Sequence, residues 1–147
     1  MTAKRSAVIV DMDGTLCGWD GSVLTGGMVW VEGQHDAGHA IIILTYRDRQ
    51  SWFMDTHLWL RRNLTVPFVG PVCRQPGDNR SAPAFKRAAF HKLSRQFNIV
   101  AAIDDEPEVL AMWSTLGIEA IPAAGSAVGA AHRIEHENGA TGDAFSG

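Results

Sequence analysis

Three short apolar runs organise the chain: Ser6–Val10 (SAVIV), Ala40–Leu44 (AIIIL) and Asn98–Ile103 (NIVAAI). Each is nearly continuous rather than alternating, which predicts strands buried on both faces, as in a parallel sheet. Ile118 to Ile121 predicts a further short strand. Helical segments fall between these runs. Met28 to Ala37 predicts a short helix, weakened by Gly33 and ended by Gly38. Asp48 or Ser51 caps a second, reaching about Asn63, with Trp52, Leu58, Trp59 and Arg62 at helical spacing. Ser81 or Ala82 opens a third, reaching about Arg95, with Pro83 in its first turn. Glu106-Pro107 starts a fourth, running to Leu116 and closed by Gly117. Gly18 to Gly27 reads as a turn or small hairpin. Val66 to Val72 reads as extended chain broken by Pro67, Gly70 and Pro71, and Arg74 to Asn79 as a polar loop. The alternation predicts an α/β domain, a parallel sheet with helices on both faces. From Pro122 onward Gly, Ala and Ser dominate, so residues 1–125 are expected to form the domain and 126–147 a loosely ordered tail.

Polar residues follow the apolar runs in a regular way. Asp11 and Asp13, Thr45 and Arg47, and Asp104 and Asp105 each come directly after a strand. In open parallel sheets, ligands collect beyond the carboxyl ends of the strands. Three strands therefore deliver carboxylates and donors to one edge. Crowded carboxylates repel and raise one another's pKa, and a hard divalent cation relieves them. The expected ion is Mg²⁺, held by Asp11, Asp104 and a backbone carbonyl, with Asp105 direct or through water and Asp13 counted in the same acidic set. A single Asp-Gly turn is most often a structural cap. Three such strand ends together are hard to explain that way.

Bulk properties narrow the classes. The chain has 147 residues, enough for one domain with a proper core. At 46% hydrophobic and 20% charged it is ordinary for a globular protein. No apolar run reaches the roughly 18 to 20 residues of a membrane-spanning helix. Ala7 to Val10 is too brief for a signal-peptide core, so a cytoplasmic location is expected. Cys17 and Cys73 show no metal-ligand pairing and read as reduced, buried thiols. The formal net charge of -3 means that any polyanion must be met by a local basic patch.

Asp11-Met-Asp-Gly-Thr15 after an apolar strand resembles the first signature of the haloacid dehalogenase (HAD) superfamily. Thr45 after Ile41 to Leu44 resembles the second, Lys86 on the third helix the third, and Asp104-Asp105 the fourth. The resemblance implies a Rossmann-like sheet and covalent phosphoryl transfer. Asp11 would be the nucleophile and form an aspartyl-phosphate. Asp13 would protonate the leaving oxygen, then activate water. Thr45 would donate to a phosphate oxygen, and Lys86 would balance charge on the phosphate and Asp11. Gly14 permits the turn between the two aspartates and Thr15 can fix it by a side-chain hydrogen bond.

The span from Thr15 to Thr45, and from there to Lys86, leaves room for only a minimal cap. An open site could accept the end of a polymer. Cys73-Arg74, Gly77-Asp78-Asn79-Arg80, Lys86, Ala102 to Asp105, Met112-Trp113 and Leu116 to Glu119 are similar to the 3′-phosphatase domain of phage polynucleotide kinase. That similarity implies a role in nucleic-acid repair, removing phosphate from DNA or RNA 3′ ends. Arg47, Arg74 and Arg80 would form the basic patch on substrate phosphates. Ala82 and Ser22 stand where the family pattern has an acidic residue and an arginine. Free nucleotides or small phosphate esters are therefore the alternative substrates. No Gly-rich loop followed by Lys and Ser/Thr occurs, so no 5′-kinase activity is expected from these residues. Trp52, Trp59, Trp113 and Met112 read as core, and Trp19, in the turn near the site, is the one tryptophan to consider for stacking on substrate. His132-Arg-Ile-Glu-His136 formally matches an inverted zinc-peptidase pattern but reads as a solvated tail helix. The oligomeric state is not legible.

Overall fold

The computed structural model describes residues 3–123, so the expected tail and its His132–His136 motif lie outside the described residues. Five strands, β1 (Arg5–Val10), β2 (Ala40–Asp48), β3 (Val69–Arg74), β4 (Phe97–Asp104) and β5 (Glu119–Pro122), form one sheet in the order β3-β2-β1-β4-β5. All four pairings are parallel, as the unbroken apolar runs require. Four helices connect them: α1 (Thr25–Asp36), α2 (Arg49–Asn63), α3 (Ala82–Leu93) and α4 (Pro107–Thr115).

Two apolar layers sandwich the sheet. Val8, Val10, Ile41 and Ile43 point to one face and pack with Met28 and Val31 of α1 and Leu60 of α2. Ala7, Ile9, Ala40, Ile42 and Leu44 point to the other and pack with Phe85 of α3 and with Val109, Met112 and Trp113 of α4. Each buried Val, Ile or Leu contributes about 1.5–3 kcal/mol. Trp113 is fully buried, as its spacing predicts. Both cysteines are free and buried, and burial raises both thiol pKa values.

The β1–β4 pairing contains a bulge. Ala7 lies opposite Ile99, but Val8 lies opposite Ala101. Val100 is the extra residue, and the alternation of β4 changes phase there: Ile99 belongs to the α3/α4 layer, while Val100 and Ala101 both face the α1/α2 layer. The phase shift carries Asp104 to the α3 side, the same side on which the alternation of β1 places Asp11.

Element boundaries differ from the sequence reading in several places. β3 runs Val69–Arg74 and takes in Arg74, which the sequence pattern places in a loop. β2 runs on through Thr45 to Asp48, because Asp48 still pairs with Arg74 of β3. α1 begins at Thr25, three residues early, with Gly26 and Gly27 in its first turn. Gly27 is needed there: a Cβ would sit 2.1 Å from the carbonyl oxygen of Thr15. α3 ends at Leu93 rather than about Arg95. Its start agrees, with Ser81 Oγ accepting from the Ala84 amide at 3.4 Å.

Candidate active site

β1 and β4 are neighbours, yet the chain visits β2 and β3 between them. The sheet order therefore reverses at this pair, where parallel sheets open a crevice at their carboxyl ends. Val10 pairs with both Ile43 and Ile103. The Asp11 amide extends the ladder by donating to the Ile103 carbonyl at 3.1 Å. The carboxylates of Asp11 and Asp104 are thus delivered side by side by the backbone itself.

Lys86 reaches this crevice from α3. Its Nζ donates to Asp11 Oδ1 at 2.8 Å and to Asp104 Oδ2 at 2.6 Å. All three side chains are buried. Thr15 Oγ1 donates to the other Asp11 oxygen, Oδ2, at 3.1 Å. The Glu106 amide donates to Asp104 Oδ1 at 3.0 Å, fixing that carboxylate at the entrance to α4. Asp105, half-buried, completes an acidic triad: one oxygen each of Asp11, Asp104 and Asp105 lie within 4.8 Å of one another. Gly14 has φ +80°, and a Cβ on it would meet Asp105 Oδ2 at 2.1 Å, so only glycine fits under that carboxylate.

Charge in this crevice is unbalanced, with three carboxylates against one ammonium. Burial, and then the neighbouring Asp104, raise the Asp11 pKa well above the ordinary carboxylate value, while Lys86 pulls it back. Burial and Asp104 likewise push Asp105 up to about 7. Burial opposes the charge on Lys86, but Asp11 and Asp104 outweigh it and raise its pKa. The unmet negative charge and the all-oxygen donor set suit a hard divalent cation. Asp13 is not part of the triad, contrary to its place in the expected acidic set.

Asp13 is held elsewhere. Arg47 grips it with two prongs, Nε to Oδ2 at 2.8 Å and Nη2 to Oδ1 at 2.5 Å. The third arm, Nη1, donates to Thr56 Oγ1 of α2 at 2.9 Å. Thr45 is fully buried, and its Oγ1 accepts from the Arg47 amide at 3.2 Å. Arg74 and Arg80 hold the segment after β3. Arg74 donates to the Tyr46 and Asp78 carbonyls at 3.1 and 2.9 Å, with its guanidinium over the Tyr46 ring. Arg80 pairs with Asp78 at 2.6 Å, and that bond draws the Asp78 pKa down to about 2. The structure thus brings Asp11, Lys86, Asp104 and Asp105 into one cluster, and Asp13, Thr45 and Arg47 into a second beside it. Arg74 and Arg80 form a third group. Thr56 was not anticipated; its only sequence signal is a buried hydroxyl one turn before Leu60.

Two expectations about tryptophan need correction. Trp52 is 48% exposed, not core. It shares an i, i+4 stripe with Thr56 and Leu60. Leu60 lies under the sheet, but Trp52 stands beyond the sheet edge, with the Arg47 guanidinium 5.4 Å from its ring centroid. Trp59 is only partly buried, packing on the α1/α2 layer while its indole N–H donates to the Gly21 carbonyl at 2.9 Å. That bond ties the Gly18–Leu24 turn to α2. Trp19, in the same turn, is exposed.

A doubly wound parallel sheet with aspartates closing its central strands, a lysine between them and no inserted cap domain among the described residues defines a phosphatase of the HAD superfamily. The family model of the polynucleotide kinase PNKP phosphatase domain matches residues 27–126, and the chain belongs to that family. The match takes in Thr45, Arg47, Arg74, Arg80, Lys86, Asp104 and Asp105; Asp11 and Asp13 lie before it. A chain in the structure of the Pnkp1/Rnl/Hen1 RNA repair complex is similar in fold, with a TM-score of 0.72 at 19% identity over 83% of this chain and 43% of that one. Another structure of the Pnkp1/Rnl/Hen1 complex gives 0.71 at 19% identity, over 83% and 47%. The present chain spans less than half the length of those two chains. Among the described residues, no helix is long and apolar enough to cross a membrane.

Proposed function

We propose that the protein is a Mg²⁺-dependent phosphatase that removes 3′-phosphates from nucleic-acid ends through an aspartyl-phosphate on Asp11. The observation that carries this reading is the Asp11 carboxylate itself. It is buried at the sheet's switch point, aligned by Lys86 on one oxygen and Thr15 on the other, with a second acid two residues on. Asp11 attacks phosphorus as the bond to the ester oxygen breaks, and Asp13 delivers a proton to that leaving oxygen. Asp13 then takes a proton from the water that attacks the aspartyl-phosphate, releasing inorganic phosphate and restoring Asp11. Thr45 donates to a phosphate oxygen. Lys86 neutralises Asp11 and the incoming phosphate.

Mg²⁺ would be held by Asp11, Asp104 and Asp105, where it would supply positive charge to the phosphate oxygens. Arg47 has two claims on it, Asp13 and the substrate phosphate. A phosphate that draws the guanidinium away also frees the Asp13 carboxylate from its two-pronged bond. The polynucleotide assignment rests on the family and on Arg74 and Arg80 at the same edge of the sheet.

The test compares matched oligonucleotides bearing a 3′- or a 5′-phosphate, with Mg²⁺ or EDTA, and Asp11→Asn as control. Loss of the 3′-phosphate alone, by wild type and only with Mg²⁺, is expected. Hydrolysis of an aryl phosphate or a 5′-mononucleotide with no action on either oligonucleotide would replace the polynucleotide reading by a small-ester one.

A further inference from the structure

Resting on the polynucleotide reading above, we infer that the first turns of α2 form a nucleobase-stacking subsite, built from Trp52, Phe53 and Arg49, for the nucleosides preceding the terminal phosphate. A groove of about 390 Å³ lies there, lined by Arg49, Gln50, Phe53, Met54, Gln75 and Pro76. Arg49 and Gln50 directly follow β2, and Gln75 and Pro76 directly follow β3. The groove therefore sits on the same edge of the sheet as Asp11, one to two strands away. Strand spacing puts that at about 5–10 Å along the edge.

Trp52 links the two places. Its indole is 48% exposed, and the Arg47 guanidinium on its ring is the one that grips Asp13. Next along the helix, the Arg49 guanidinium lies 4.4 Å from the centroid of the Phe53 ring. Trp52 is half-open beside Arg47, and Phe53 is part-buried, with Arg49 over its ring and His57 stacked at 5.8 Å. Aromatic surface set among arginines matches what a single strand offers, flat bases and an anionic backbone. Gln50 and Gln75 add amides able to meet base edges of any identity. Met54, 62% exposed, supplies apolar surface at the groove's rim. Trp52, Met54 and Leu58 leave large apolar side chains open on α2, whose buried residues are Thr56 and Leu60, a surface suited to a ligand.

The experiment has two arms. In the first, kcat/KM is measured on 3′-phosphorylated substrates of one, two, four and eight nucleotides, and each value is divided by the same enzyme's kcat/KM on an aryl phosphate. This ratio is expected to rise with length in wild type. The rise should shrink about tenfold per base lost from the platform in Trp52→Ala and Phe53→Ala, mostly through KM, and recover in Trp52→Phe. In the second arm, binding of a labelled eight-nucleotide strand ending in a 3′-hydroxyl is read by anisotropy, which needs no catalysis. Weakening of about tenfold in both alanine variants is expected. Equal binding by wild type and both variants overturns the subsite even if 3′-phosphatase activity is found. Weakened binding with no turnover of any 3′-phosphate leaves the subsite standing and sinks the catalytic reading instead. Circular dichroism confirms that the variants are folded.

Discussion

The two halves of the sheet edge are built on opposite terms. Between β1 and β4, Asp11, Asp104 and Lys86 are buried, tightly bonded and short of positive charge. Beyond β2 and β3 the edge is open, carries Arg47, Arg49, Arg74 and Arg80, and leaves Trp52 in solvent. Buried electrostatics make the first half strong per contact and intolerant of change. The second half is expected to tolerate the loss of a side chain without unfolding. Buried and open surroundings thus lie side by side along one line of strand ends, and substitutions in the two halves should behave differently.

The largest effect is expected from Asp11→Asn. Turnover should fall to background, while the unfolding free energy rises by about 1 kcal/mol, because one carboxylate leaves a crowded cluster. Phosphate release and urea unfolding check both; a variant that is inactive and also strongly destabilised would mean that the carboxylate is structural. Lys86→Met should do the reverse to the fold. It strands two buried carboxylates and should cost about 3–5 kcal/mol in urea unfolding.

Asp105 gives the pH signature. Its folded pKa, pushed up to about 7, exceeds the ordinary 3.8. The folded state thus holds a proton that the unfolded chain gives up, so this contribution to stability is full below about pH 4 and is lost as pH rises toward about 7. In EDTA the thermal midpoint of wild type should therefore drop across that window relative to Asp105→Asn, and saturating Mg²⁺ should remove the difference. A constant difference in EDTA would refute the assignment. The smallest effect belongs to the open half. Thr56→Val takes an acceptor from Arg47, and should lower kcat/KM about tenfold with Thr56→Ser restoring it. A loss that Ser does not restore would assign Thr56 to packing alone.

Much of the closed half was legible in the sequence. Continuous apolar runs identify β1, β2 and β4, and the residues after them fall at one edge because parallel strands share a direction. Lys86 was legible only through the family pattern, since nothing local distinguishes it from Arg87 or Lys92. The open half was read less well. Helical spacing groups Trp52 with Thr56 and Leu60, but periodicity does not say where a helix outruns its sheet, so Trp52 was expected in the core. The start of α1 was missed because two glycines argue against a helix, and the contact that requires Gly27 is with Thr15, twelve positions earlier. The Val100 bulge leaves no local mark either. It is visible only in how β4 registers against β1.

The Lys86 bridge also dates the site within the life of the chain. Asp11 and its counter-charge are 75 positions apart, and Asp104 comes 18 positions later still. As the polypeptide emerges from its N-terminus, the acidic turn appears first and waits for α3 and β4 to close around it. Contacts of such separation form slowly, because loop closure precedes any reward. The cluster therefore matures only after nearly the whole sheet has assembled, so a chain halted before α3 carries the acidic turn without its counter-charge.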